Sequence, residues 1–277
     1  MLFVCLGYLA LARYSASGDI AGRRQQALTE LAIVVGLGVG HHPSLAFVAV
    51  GWLVYLVWLS PRLLIQPRNW YRSALAAAAA WLLPQLYLPV RGAMQDVPLN
   101  PGGLASWQGF WDHVLARGFG GDMLAYATPA DLALRLPLLP TLFRMQFPVL
   151  VLVAIAVGWL WLLHRDRGIA LSLLTAWLVQ TFMTITYRAP QTVEYLMPAY
   201  VPMALALGLA IALRPTLRSA ALRCLTLAAA LIVAVSLALQ LPGHIRDFAT
   251  LADDTSIRAR ITPLLAQAPS DATILAD

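Results

Sequence analysis

The sequence predicts an all-α polytopic membrane protein, a bundle of about eight transmembrane helices with interfacial helices in one long outer loop. Three observations predict it. Apolar residues make up 60% of the 277 and charged residues 12%, with a mean hydropathy of +0.71. That balance excludes a disordered chain, a collagen-like chain and a soluble nucleic-acid binder, and makes the lipid bilayer the first partner. Apolar runs of about 20 residues, the length that crosses a hydrocarbon core, recur along the chain. The arginines, which account for all 19 basic residues, gather on alternate connecting segments.

The first apolar run, residues 1–13, ends at Arg13 and has neither a basic start nor a small-residue cleavage site, so it is read as the tail of a truncated helix and not as a signal peptide. Residues 27–60 are too long for one span and are interrupted by His41, His42 and Pro43, groups that hydrocarbon tolerates poorly. A helical hairpin follows from this. Further spans are expected at about 73–90, 148–163, 168–187, 195–213 and 220–241. Cys5 and Cys224 sit within apolar runs and are read as small buried hydrophobes.

Threading these spans places Arg13, Arg23, Arg24, Arg62, Arg68, Arg72, Arg165, Arg167, Arg214, Arg218 and Arg223 on one face, against Asp19, Glu30 and Asp166. Such an excess marks the cytoplasmic side of the membrane. The opposite, extracytoplasmic face then holds the turn at 41–43, a long loop at 92–147, the link at 188–194 and everything from 242 onward. The expected organisation is a bundle over 1–241 and, at 242–277, the start of a C-terminal segment comprising a linker, a helix near 251–267 and a strand-like run at 271–277. Cytoplasmic links are short and outer ones long, which puts function outside.

In the long loop, Pro98, Pro101, Gly102 and Gly103 build turns. Trp107, Phe110, Trp111, Val114 and Leu115 then recur at helical spacing, with Gln108, Asp112 and His113 on the other face. This suits a helix lying in the membrane interface with its rings toward lipid, and it equally suits an anchor that touches no ligand. Thr128, Pro129 and Asp131 form a helix-start signature, and Pro137, Pro140 and Pro148 break the return to the bilayer.

His41 and His42 are the most unusual pair in the chain. Adjacent imidazoles on a turn point apart, and no Cys, Asp or Glu lies near them, so no metal site is read. One ring could hydrogen-bond a phosphate or hydroxyl in a cavity; a polar turn at the interface is the plainer alternative. Gly36, Gly38 and Gly40 before them allow close helix approach. Arg91 has the forked donor that suits phosphate. Glu194 and Tyr195 open a helix, where the carboxylate either meets a substrate or only complements the helix dipole. Asp112, Asp122 and Asp131 are outer carboxylates whose spacing pairs none of them.

Three blocks carry a resemblance: Gly36 through His41, His42 and Pro43; Tyr87, Pro89 and Arg91; and Glu194, Tyr195, Pro198 and Tyr200. In order and spacing they resemble a bacterial polytopic family, catalogued as a domain of unknown function, that is related to the transmembrane protein O-mannosyltransferases of the GT-C class. The resemblance implies a parent enzyme that transfers a sugar from a polyprenyl-phosphate donor to an acceptor it does not name. It implies substrate contacts at His41, His42, Arg91, Glu194 and Tyr195, and lipid contacts at Trp107, Phe110 and Trp111. No cofactor is evident, although the resemblance leaves room for a divalent metal in the parent. The family's outer-loop acidic motif, expected to supply the base, would lie upstream of Met1, and the tryptophan and proline positions of its block near Asn100 and Gly103 are altered here. The chain is thus read as an internal fragment, inactive by itself. The rival reading is a non-catalytic transporter subunit or scaffold in which the same polar residues only satisfy one another.

Overall fold

A computed structural model of the chain describes residues 1–18, 20–63, 65–94, 103–189, 192–212, 220–253, 255, 256, 259, 262 and 263. The turn residues Pro98 and Pro101, with Arg214, Arg218 and the strand-like run at 271–277, lie outside the described residues. The chain divides into two compact units, Met1–Leu227 and Ala228–Asp277.

In the first unit, α1 (Leu2–Ala16) leads to the expected hairpin of α2 (Ala21–His41) and α3 (Leu45–Leu59). Two single 3-10 turns, Pro61–Leu63 and Pro67–Asn69, connect to α4 (Tyr71–Gln85), which continues after a one-residue break at Leu86 into α5 (Tyr87–Gly92). The long loop holds α6 (Trp107–Val114), α7 (Pro129–Arg135) and α8 (Leu139–Gln146). Then come α9 (Val149–Arg165), α10 (Arg167–Thr186) and α11 (Thr192–Ala212); α12 (Ala220–Asp253) begins in the first unit and from Ala228 on belongs to the second. Helices therefore stand at every span the sequence predicts, and no strand occurs among the described residues. Among those residues, Tyr71–Gly92, Arg167–Thr186 and Thr192–Leu209 are each long and apolar enough to cross a membrane. Residues 129–146 and α9 make a further pair bent by 106°, where Pro148 stops one helix and starts the next. The chain is an all-α polytopic membrane protein.

Small residues set the helix spacing. A side chain at Gly51 would run into the carbonyl oxygen of Ser172, so α3 and α10 touch backbone to backbone, and Ser172 Oγ donates to the Gly51 carbonyl at 2.8 Å. Gly36 meets Ala77 of the alanine-rich α4 in the same way. The buried core of this unit gathers Tyr14, Leu28, Val48, Trp52 and Leu56 from α1, α2 and α3.

Two expectations are corrected. The helix predicted to end near Pro242 runs through it to Asp253, because a proline that costs one backbone bond does not stop a long apolar helix when the neighbouring turns hold. Cys5 and Cys224 are exposed on the protein surface, not buried. A helix that is apolar all round gives no sequence signal for which side packs against protein and which meets lipid.

Candidate functional site

Pro43 builds the site. The residue before a proline is pushed out of the helical region, and His42 accordingly adopts φ −152° and ψ 115°, ending α2. The His42 N–H still closes the last turn on the Gly38 carbonyl at 2.8 Å, and Leu45 N–H picks up the His42 carbonyl at 3.1 Å to start α3. The histidine pair is thus fixed at the tip of the hairpin.

Two neighbouring cavities open there. The larger, about 600 Å³, is lined by both histidines together with Phe47, Trp81, Gln85, Asp112, His113, Gln180, Met183, Thr184, Tyr187 and Tyr195. The smaller, about 280 Å³, shares His41, His42, Ser44 and Tyr195 with it and adds Phe3, Glu194 and Pro198. Four of the five expected substrate residues therefore come together. Arg91 does not join them; it is exposed near the end of α5, where among the described residues its guanidinium reaches Met94 Sδ at 3.3 Å.

His42 is held as a defined donor. Its Nδ1 lies 3.3 Å from Ser44 N–H, which can only donate, and 2.7 Å from Ser44 Oγ, so Nδ1 accepts and the proton belongs on Nε2. Surrounding protein disfavours the charged ring, and the positive charge of neighbouring His41 acts in the same direction, so the pKa falls below the ordinary 6.5. A neutral imidazole with Nε2–H outward can hydrogen-bond a phosphate oxygen or a hydroxyl. The ring packs 5.5 Å from Tyr195, which packs 5.2 Å from Tyr187. The Tyr187 phenol is shifted upward, first by desolvation and then by Tyr195, and remains a neutral donor at physiological pH.

A further buried polar group at this end is one that apolar periodicity hides. Gln180, 1% exposed inside α10, donates from Nε2 to the Tyr195 carbonyl at 2.8 Å, and Thr184 Oγ1 donates to the same carbonyl at 3.0 Å. Together they tie α10 to the first turn of α11. The Gln180 Oε1 has no partner although it is shielded, an arrangement that costs about 1–3 kcal/mol until something donates to it. Gln180→Leu is expected to weaken binding of a hydroxyl-bearing ligand roughly fivefold to tenfold, the share of one neutral hydrogen bond. Thr184→Val, which removes only the second tie to Tyr195, should leave that binding within twofold; equal losses from both would assign Gln180 to packing alone.

The segment after α5 covers the cavity with the polar side of α6. Ser106 Oγ accepts from Gly109 N at 3.1 Å to start that helix. Asp112 and His113 face the cavity, and Asp112 holds Arg117 at 2.7 Å. Of the expected lipid-facing rings, Trp107 is 79% exposed, Phe110 turns inward at 7%, and Trp111 packs against Phe110 and Trp81. Asp122 is committed to Arg188 at 2.6 Å, and Asp131 receives the Thr128 cap at the start of α7, so both carboxylates are structural. Among the described residues no group of three or more His, Cys, Asp or Glu side chains is placed to hold a metal ion.

No protein-family model matches the chain, and no solved structure matches it. Over 186 residues, 65% of its length, it is 28% identical to the undecaprenyl phosphate-alpha-4-amino-4-deoxy-L-arabinose arabinosyl transferase 2 of Pseudomonas fluorescens. The chain spans about a third of the length of that curated relative, the alignment covering 30% of it.

Proposed function

We propose that the chain forms the donor-binding part of an integral-membrane glycosyltransferase of the GT-C class, one that takes a sugar carried on a polyprenyl phosphate at the extracytoplasmic face. The single observation that carries this reading is the larger cavity: the apolar walls of Phe47, Trp81 and Met183 suit a prenyl chain, and the polar end made by His42, Gln180 and Tyr187 suits a phosphate and sugar hydroxyls. The relative, an undecaprenyl phosphate-alpha-4-amino-4-deoxy-L-arabinose arabinosyl transferase, supports the same donor class.

In this reading an acceptor hydroxyl oxygen attacks the anomeric carbon, the bond from that carbon to the phosphate oxygen breaks, and the polyprenyl phosphate leaves with the electron pair. His42 Nε2–H donates to the departing phosphate, where negative charge grows. The hydroxyl proton goes to a carboxylate base. Asp112, the carboxylate that lines the larger cavity, is engaged by Arg117 and is not assigned that role. Transfer to a protein hydroxyl, in the manner of the O-mannosyltransferases, is the finer form of the proposal and rests on the three sequence blocks. For the divalent metal that the resemblance allows in a parent enzyme, the described residues gather no ligand cluster, and no step is routed through one.

The test is binding. The purified chain in detergent, titrated with an undecaprenyl-phosphate sugar, should show saturable quenching of tryptophan fluorescence through Trp81, and undecaprenol without phosphate should bind at least tenfold more weakly. Equal response to both lipids, or to neither, would leave the non-catalytic scaffold as the better account. Orientation is tested separately. Reporter fusions after Arg24 and Arg68 should both read cytoplasmic, as the arginine distribution requires, and a fusion within 103–147 should read extracytoplasmic.

A further inference from the structure

A third cavity, of about 520 Å³, lies at the opposite end of α2 from the histidine turn, lined in part by Tyr14, Arg24, Ser60, Arg62 and Asn69. Arg24 and His41 are both in α2, separated by about 26 Å along its axis at 1.5 Å per residue. That separation is close to the roughly 30 Å of a hydrocarbon core, and the arginine distribution along the sequence puts the two ends of α2 on opposite faces.

Local structure brings the cationic groups together. Arg24 is in the first turns of α2, and Arg62 is in the 3-10 turn Pro61–Leu63 that follows α3. Tyr14 is fully buried, and its hydroxyl donates to Ser60 Oγ at 3.0 Å, which locks the ring in place. The Arg24 guanidinium lies over that ring, 5.2 Å from its centroid, so its position is set by packing and not by a carboxylate. Its Nε is shielded and has no hydrogen-bond partner. Among the described residues, no acidic side chain lines the cavity, and the ion pairs found engage Arg13, Arg117 and Arg188 but neither Arg24 nor Arg62. Two guanidinium groups with no counter-charge among the described residues, one of them seated on a ring with an unmet donor, therefore line a space at this end of α2.

We propose that this cavity is a phosphate-binding site, filled by the phosphate of an anionic lipid headgroup from that leaflet. Arginine suits the task because its planar fork gives parallel hydrogen bonds to phosphate oxygens, and the Tyr14 platform pre-orients one fork before the ligand arrives. The site is separate from the histidine cavities and does not depend on the function proposed for them.

The experiment uses the full chain in a neutral detergent with phosphatidylglycerol, phosphatidylcholine and inorganic phosphate as probes, read by native mass spectrometry and by thermal melting. Wild type should retain phosphatidylglycerol in preference to phosphatidylcholine. Arg62→Gln, an exposed position whose change leaves the core untouched, should lower that retention at least fivefold. Arg72→Gln, in the same region but outside the cavity, should not. A rise in melting temperature with inorganic phosphate alone, lost in Arg62→Gln, supports the site and assigns it to free phosphate instead of a headgroup. If Arg24→Lys destabilises the fold through Tyr14, Arg62→Gln still decides the matter. Equal retention in Arg62→Gln and wild type, or an equal loss in Arg72→Gln, overturns the proposal.

Discussion

His42→Ala should weaken binding of an undecaprenyl-phosphate sugar by roughly tenfold to a hundredfold, the effect of removing one hydrogen bond to a charged group. The expectation follows from the way the ring is held: Ser44 occupies Nδ1, Tyr195 supports the face, and Nε2–H is left as the donor. The pH dependence gives a second readout. In the free protein, surrounding protein and His41 hold the pKa of His42 below 6.5, so the ring is neutral at pH 7. A bound phosphodiester favours the charged ring and raises that pKa, so binding should tighten as pH falls through and below 6.5, a slope that His42→Ala should abolish. The sign for the unliganded fold is opposite. With the folded pKa depressed, the unfolded chain takes up the proton more readily, and this residue's contribution to stability declines as pH drops from 6.5 toward the lowered value. A variant that binds the donor like wild type, with the same pH profile, would remove His42 from the site.

Gly51→Val is expected to have the largest effect on the fold, about 3 kcal/mol, at the upper end of what overpacking costs. The added carbon would meet the Ser172 carbonyl oxygen, and backbone, unlike the tip of a side chain, cannot rotate aside. Separating α3 from α10 to make room also stretches the Ser172 Oγ to Gly51 carbonyl bond. Because α3 starts at the histidine turn and α10 carries Gln180 and Thr184, the same displacement widens the larger cavity. Melting in detergent should show a clear drop for Gly51→Val, accompanied by weakened donor binding. Gly208→Val, in α11 with open space around it, is the control and should melt close to wild type. If the two variants melted alike, the backbone contact would not be what spaces α3 and α10.

The sequence made the helices legible because a bilayer demands long apolar runs, and it made the hairpin legible because Pro43 next to two imidazoles cannot continue a span. It also pointed to the end of the bundle where four polar residues meet. Arg91 follows from its forked donor and from the second resemblance block, and neither specifies direction: near the end of α5 the side chain is exposed. Asp112 and His113 were assigned to the side of α6 away from the rings, which is correct, but helical periodicity could not say that this side roofs a cavity. Gln180 and Thr184 went unnoticed inside an apolar run. The available signal was their spacing of four residues, which puts two buried polar groups on one face of a span, where each needs a partner.

Because His41, His42, Ser44 and Tyr195 form a common wall between two cavities, the protein has a party wall where most binding sites have a back wall. An occupant of either chamber touches groups that the other chamber also presents. Any help or hindrance it gives to a second occupant must be returned in equal measure, since linkage between two ligands is symmetric.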